Sequence, residues 1–316
     1  MILALARKLK EAGILGMNRR NASYIMKWNP RSAFPLVDDK VLTREVAEKY
    51  GVATPPIFLV IESHGQIVGI EEALGDRREF VLKPARGSGG SGIILVVDRR
   101  KEGFVSQSGE VYSREGFTYQ IADILSGIHS LGGQEDRAIL QALVHPDPVF
   151  AAVTHQGVPD IRIISYRGVP VMGMVRLPTR ASDGKANLHR GAIGAGIDIS
   201  TGKTGTAVHR GEVVSRHPDT GNPVSGIPVP FWDKMLLMSS RSMEMTGLGY
   251  LGMDLVIDRE HGPFLLELNA RPGLAIQIAN RKGLWTRLEQ VDRAPREIFA
   301  TPESRTAWAK ETFRNG

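Results

Sequence analysis

Residues 81–97, VLKPARGSGGSGIILVV, constrain the fold more than any other stretch of the chain. Apolar runs flank a loop of glycine and serine, a pattern that predicts two strands of a hairpin with the loop at its tip. Two readings of the loop are open at this point. Gly/Ser loops are most often flexible connectors. The other reading is a phosphate cradle, because residues without Cβ let successive N–H groups converge on an anion while Lys83 adds a point charge. A P-loop would place Gly-Lys-Ser/Thr at the far end and lead into a helix, and a dinucleotide fingerprint also needs a helix next. Here the lysine precedes the glycines and a strand follows, which excludes both.

The 316 residues suffice for two lobes, each with its own core. A content of 42% hydrophobic and 23% charged residues is that of an ordinary soluble globular protein. With no cysteine, thiol nucleophiles, disulfides and Cys-ligated zinc or iron–sulfur sites are excluded, leaving oxygen and nitrogen ligands for any metal. No apolar run reaches the length of a membrane span, and MILALARKLK is charged too early for a secretory signal, so the expectation is a cytoplasmic protein. Lys and Arg are scattered along the chain and leave a net charge of +6, which suits nucleotide phosphates or acidic small substrates as well as it suits nucleic acid, and which a plain excess of solvated surface Lys and Arg explains equally well.

Residues 2–13 carry a helical period with Ile2, Leu5, Leu9 and Ala12 on one side. The default is a helix packed on the body, with a membrane-surface or partner-docking helix as the alternative. The Arg- and Asn-rich segment NRRNASYIMKWNPRSAFPL reads as irregular. VLTREVAEKYGV, opened by Asp39 and Lys40, reads as a helix ended by Gly51. TPPIFLVIES, FVLKP and GIILVV read as strands, residues 98–115 as polar turns, and 116–131 as a helix. AILQALV reads as a buried strand, and DIRIISYRGVPVMGMVRLP as two strands flanking a turn at Arg167 and Gly168. Residues 180–226, rich in Gly, Ser, Thr, Asp and His, read as a long functional flap. A Met-rich helix over 233–247 precedes the strand pair LGMDLVID and GPFLLELNARPG, and the tail after Val291 reads as a docked helix or a partly disordered segment. Strand hairpins mix with helices on both sides of residue 138, which argues for two α+β lobes with a cleft between them.

In PFLLELNARPG, Glu267 and Asn269 are two apart on one strand and share a face, with Leu266 and Leu268 on the other. With Asp254 on the neighbouring strand they form a hard oxygen site of the kind Mg²⁺ accepts when phosphates complete its shell. The alternative is a solvent-facing polar row on an amphipathic strand. Asp160 and Arg162 alternate on one strand and Arg176 ends the next, while ANLHRGAIGAG holds Asn187, His189 and Arg190 in a short loop. Arginines so placed could neutralise a developing phosphoryl charge, or Asp160 and Arg162 could be a surface ion pair. His189 has no evident base role.

In order, VDDKVLT, the VLKPARGSGGSG loop, DIRIISYRGVPV, ANLHRGA and LLELNARPGL resemble the ATP-grasp superfamily, and within it most closely the ribosomal-protein-modifying α-L-glutamate ligase type. The resemblance covers residues 37–274 and lies in the ordered set. It implies an α+β ATP-grasp fold with the nucleotide cleft between the lobes. An N-terminal helix and irregular segment would occupy 1–39, a central lobe 40–138, a C-terminal lobe with the metal site 139–290, and a tail 291–316. Relatives normally carry an N-terminal α/β domain, and the 39 residues before Lys40 would leave that domain truncated.

By the same resemblance, Lys40 and Lys83 would hold ATP phosphates and the loop Gly87, Ser88, Gly89, Gly90, Ser91, Gly92 would close over them. Gln141 and Leu143 would lie nearest adenine, Asp147 would reach the ribose, and Asp254, Glu267 and Asn269 would bind Mg²⁺, with Mn²⁺ as a substitute. Arg176, Asn187 and Arg190 match positions near the transferred phosphoryl and acyl groups. The hinge reads QALV without the glutamate ligases' carboxylate. D-alanine ligases place an arginine just before the metal aspartate, where this chain reads LGMD, so Arg190 or Arg271 would take that role.

The implied activity is amide formation. A carboxylate attacks the γ-phosphorus of ATP to give an acyl phosphate, which an amine then attacks, and no nucleophilic side chain is needed. The partners would be ATP, a carboxylate substrate and an amino acid or other amine, with glutamate the expected addition; a homo-oligomer is left open. Closure of residues 180–206 would shield the acyl phosphate from water. The rival from another class is a catalytically inactive ATP-binding regulatory module that binds a partner through residues 1–36. Nucleic-acid binding ranks last, because no aromatic platform interleaves with the early arginines.

Overall fold

The hairpin around the glycine-rich loop sits inside a six-stranded antiparallel sheet in the computed structural model, which describes residues 2–87, 90–130 and 132–314. The strands are β1 (Ile57–Ile61), β2 (Phe80–Pro84), β3 (Ile94–Arg100), β4 (Gly103–Ser106), β5 (Val111–Tyr112) and β6 (Ala138–Gln141), ordered β1-β6-β2-β3-β4-β5. They belong to the smaller of two units, residues 39–41 and 54–144. Helix Arg114–Leu125, capped by the Ser113 hydroxyl accepting the Gly116 N–H, covers the sheet with Phe117, Ile121, Ile124 and Leu125. Phe80 stands edge-on to Phe104 at 5.7 Å and to Phe117 at 5.8 Å, the separation at which aromatic quadrupoles attract.

Residues 98–115 are not only polar turns: they hold the end of β3 and the whole of β4 and β5. Each run is too short for an alternating period to be read, yet every residue of Gly103–Ser106 is buried.

The larger unit comprises residues 1–38, 42–53 and 145–316. Its seven-stranded antiparallel sheet contains β7 (Asp160–Tyr166), β8 (Val169–Leu177), β9 (Ile193–Ile197), β10 (Thr204–His209), β11 (Glu212–Val214), β12 (Tyr250–Asp258) and β13 (Gly262–Asn269), ordered β11-β10-β9-β8-β7-β12-β13. The expected turn joins β7 to β8: Arg167 and Gly168 have φ of +50° and +73°, the left-handed pair a tight hairpin demands. Helix Trp232–Thr246 buries Met235, Leu236, Met238 and Met245, and the tail forms a second helix, Pro302–Thr312, capped by Thr301.

Residues 180–226 are the main departure from expectation. Instead of a long flap they supply β9, β10 and β11, and β9 is buried throughout, so the proposed closing segment 180–206 is built into the sheet from residue 193 onward. Its sequence, IGAGI, hides this because glycine and alanine replace branched apolar residues. The glycines are used for close approach. A Cβ on Gly194 would lie 2.9 Å from Leu188, and one on Gly196 would lie 2.6 Å from Asn280.

The segment after the first helix (Ile2–Glu11), expected to be irregular, is largely helical through Met17–Arg19, the π-helical Arg20–Ile25 and Met26–Trp28, and it is an anchor. Asn29, buried, donates to the carbonyls of Tyr250 (2.7 Å) and Ala270 (2.9 Å) and accepts the Tyr250 N–H (2.9 Å). One amide thereby ties the start of β12 to the residue after β13. Tyr24 and Trp28 pack edge-on against Tyr166 beside it.

Candidate functional site

In the smaller unit Lys83 lies near the end of β2 and is 7% exposed. Lys40 opens helix Lys40–Lys49, and its Nζ donates to the carbonyls of Gly87 (2.8 Å) and Ala85 (3.3 Å), so both lysines adjoin the stem of the loop. Two carboxylates that the sequence did not flag hold that stem. Asp39 accepts from Arg137 at 2.7 Å and Arg86 at 3.1 Å. Asp136 accepts the N–H groups of Arg86 (3.0 Å) and Arg137 (2.7 Å) and the Ser130 hydroxyl (2.8 Å).

Glycine is required at both ends of the loop. A Cβ on Gly87 would fall 2.2 Å from the Pro84 ring, and Gly92 has φ +71° with the His129 ring 2.6 Å from where a Cβ would stand. Between them Gly90, at φ +78°, meets nothing, and Ser91 Oγ lies 3.0 Å from His129 Nδ1. Ser88 and Gly89 lie outside the described residues. Gln141 ends β6, buried between Ile57 and Val81, and Leu143 follows it half-buried.

In the larger unit the carboxylates meet through strand register. Asp254 on β12 is directly opposite Glu267 on β13 and opposite Arg162 on β7, and Asp160 on β7 is opposite Arg176 on β8. Opposed residues and residues two apart share a face, so all five project from the same side of the sheet. The pairing passes from Asp254–Glu267 to Leu255–Leu265, which leaves Leu266 as the extra residue of a bulge; such bulges re-aim a strand end.

Arg162 grips Asp254 through two bonds, of 2.7 and 2.5 Å. Arg176 bridges the two aspartates, bidentate to Asp160 and 3.0 Å from Asp254, while the Asn269 amide donates to Asp254 at 3.3 Å. These groups are nearly buried, which corrects the reading of Asp160 and Arg162 as a surface ion pair: each pairs instead with a partner on another strand. Burial favours the neutral acid at Asp254, but Arg176 and Arg162 outweigh it and hold the carboxyl at about 2. Asp160 goes the other way, to about 6, because burial and the nearby Asp254 charge outweigh its share of Arg176. Burial also opposes the charge of Arg176, yet Asp160 and Asp254 raise its pKa.

The remaining expected residues are more dispersed. Asn187 caps the short helix Leu188–Arg190 by accepting the His189 N–H at 3.0 Å, and Arg190 is exposed on it. The loop returns to the sheet where Gly194 of β9 pairs with Arg176. Arg271 is exposed, its guanidinium 4.9 Å from the Phe34 ring. The Asp147 carboxylate caps residues 148–153 by accepting the Val149 N–H at 2.9 Å.

Among the described residues no group of three or more His, Cys, Asp or Glu could hold a metal. Asp254, Glu267 and Asn269 supply two carboxylates and one amide oxygen, a donor set that fits an ion retaining several waters and phosphate oxygens, as Mg²⁺ does. Asp254 is held ionised by guanidinium groups that serve as its counter-ions.

Two antiparallel sheets in α+β units, one built around a lysine-flanked glycine hairpin and the other around facing carboxylates, define an ATP-grasp protein, the superfamily expected from the ordered motifs. Residues 19–293 match the sugar-transfer associated ATP-grasp family, and the chain belongs to it. ATP is the nucleotide of this superfamily. Similar solved structures include the ATP-grasp ligase PsnB complexed with a minimal precursor, at 14% identity and TM-score 0.46. That match covers 84% of this chain and 62% of PsnB, so the chain spans less than two thirds of that protein. D-cycloserine synthetase DcsG matches at 14% identity and TM-score 0.46 over 84% of this chain and 72% of DcsG. N5-carboxyaminoimidazole synthetase from Staphylococcus aureus, complexed with ADP, matches at 10% identity and TM-score 0.45 over 76% of this chain and 46% of its own. No curated protein matches the sequence.

Proposed function

We propose that the protein is an ATP- and Mg²⁺-dependent ligase that joins a carboxylate to an amine through an acyl phosphate. The observation that carries this reading is the opposition of Asp254 and Glu267 across β12 and β13, with Asn269 beside them and two buried arginines on the same face. A face built only for stability would gain little from so many buried charges, whose desolvation cost often exceeds their attraction.

Lys40, Lys83 and the backbone of Gly87–Gly92 take the phosphates of ATP, and Gln141 and Leu143 take adenine. Asp254, Glu267 and Asn269 hold Mg²⁺, which when bound offsets phosphate charge. A substrate carboxylate oxygen attacks the γ-phosphorus and ADP leaves. The amine nitrogen then attacks the acyl carbon, inorganic phosphate leaves with the C–O bonding pair, and the nitrogen loses a proton. Arg176, which bridges Asp160 and Asp254, neutralises the transferred phosphoryl group, and Asn187, Arg190 and Arg271 orient the acyl substrate.

ADP release is measured with panels of carboxylates and amines, and amide products are sought by mass spectrometry. The expected result is ADP release that needs both co-substrates and a product heavier by their condensation. Tight ATP binding with no turnover for any pair would assign the chain to the inactive regulatory class instead.

A further inference from the structure

The uncompensated charge of the chain is confined to one end. Residues 1–37 hold seven Lys or Arg against one acidic residue, Glu11, a net of +6, and the other 33 basic residues are balanced by 33 acidic ones. The whole net charge therefore belongs to the first helix and the anchoring segment behind it.

The described side chains of helix Ile2–Glu11, from Arg7 onward, are all exposed. Arg7, Lys10 and Glu11 line a groove of about 540 Å³ against Trp285, Thr286 and Glu289. At about 100° per residue those three positions share one side of the helix, and Leu9 and Ala12 lie on the opposite side. Both are exposed, Leu9 by 46%. The same apolar spacing continues in the sequence at Ile2 and Leu5, whose side chains lie outside the described residues. All side chains from Arg7 to Ala12 are exposed, so the apolar side of this amphipathic helix is left uncovered, unlike that of a helix that contributes to a core. Beyond it, Met17 is 63% and Met26 79% exposed, among the exposed Arg19, Lys27 and Arg31.

The segment is held firmly behind the helix. The Trp285 N–H donates to Gly13 O at 2.9 Å, Leu15 exchanges two bonds with the Gln277 amide, and Asn29 clamps the strand ends. What binds the helix therefore holds the catalytic unit as well.

We propose that the segment from Arg7 to Val37 is a membrane-surface anchor that seats the exposed Leu9 at the headgroup boundary of an anionic bilayer, with the clustered Lys and Arg drawn to the lipid charge. Apolar side chains outward, basic side chains around them and a net charge confined to the segment are the two contributions such an anchor needs. A second copy of the chain would meet the same net charge of +6 and be repelled by it. The proposal is independent of the ligase reading.

The test uses the full chain in co-sedimentation with vesicles of phosphatidylcholine alone and of phosphatidylcholine mixed with phosphatidylglycerol. The expected result is binding only to the anionic vesicles, lost as salt rises from about 0.1 to about 0.5 M, where screening shortens the reach of the charges. Lys8→Gln with Lys10→Gln should weaken binding about 25-fold, at about fivefold for each basic residue near the surface. Leu9→Asp should abolish binding while leaving the thermal melt and ADP release unchanged. Absence of binding, equal binding to both vesicle types, or undiminished binding of Leu9→Asp would overturn the proposal. So would ultracentrifugation showing a wild-type dimer that Leu9→Asp dissolves, or binding to an acidic protein or to DNA without binding to vesicles.

Discussion

Replacing Arg162 by Gln tests whether the buried aspartate row is a poised metal site or a structural ion pair. Arg162 provides two of the bonds that keep Asp254 ionised, and Arg176 provides another at 3.0 Å. Together they bring the carboxyl from an ordinary 3.8 to about 2 against the opposing effect of burial, worth about 2 kcal/mol at 1.36 kcal/mol per unit. Breaking a buried pair outright costs about 3–5 kcal/mol, and Arg176 remains in the variant, so the expected loss is about 2–3 kcal/mol near pH 7. The sign with pH follows from the depressed pKa. The contribution of Asp254 is present above the unfolded value of 3.8 and is lost as pH falls toward about 2, so the gap between wild type and Arg162→Gln narrows by about 1 kcal/mol between pH about 7 and about 3. Urea unfolding at the two pH values measures it. With one competing cation removed, Mg²⁺ should bind the nucleotide-free variant more tightly by calorimetry. A variant as stable as wild type, a gap that does not narrow in acid, or weaker Mg²⁺ binding would each refute the reasoning.

Lys83→Ala should lower ATP-dependent turnover on the order of 100-fold or more, the scale of losing a charged group that stabilises the transition state, with far-UV circular dichroism unchanged; retained turnover would remove Lys83 from the phosphate site. Glu267→Gln should raise the Mg²⁺ concentration needed for half-maximal ADP release, and an unshifted titration would exclude Glu267 as a ligand. Asn29→Ala deletes three buried hydrogen bonds and should cost about 3–4 kcal/mol in urea unfolding; a loss under about 1 kcal/mol would show that the strand ends are held by other contacts.

Much of the fold was legible because its signals are local. The glycine loop between apolar runs, the β7–β8 hairpin with its Arg167–Gly168 turn and the β12–β13 pair each announce themselves within about twenty residues, through a two-residue period and a turn. The misread segments lack such signals. β4 and β5 are too short, and β9 is made of glycine and alanine that pack because other elements come close enough to touch backbone. Asp39, Asp136 and His129, which shape the loop stem, are scattered polar residues with no spacing of their own. Only the adjacency of Asp39 to Lys40 could have drawn attention to it.

The chain's local order determined by itself that Glu267 and Asn269 share a face, that Asp160 and Arg162 do the same, and that glycines follow a lysine between two strands. Alternation along a strand is a property of neighbouring residues. Which carboxylate meets which guanidinium was decided only by tertiary structure, because Arg162 reaches Asp254 across 92 residues of chain and Arg176 bridges Asp160 and Asp254 from a third strand. Register between distant strands is set by the packing of the whole sheet, and no local period encodes it.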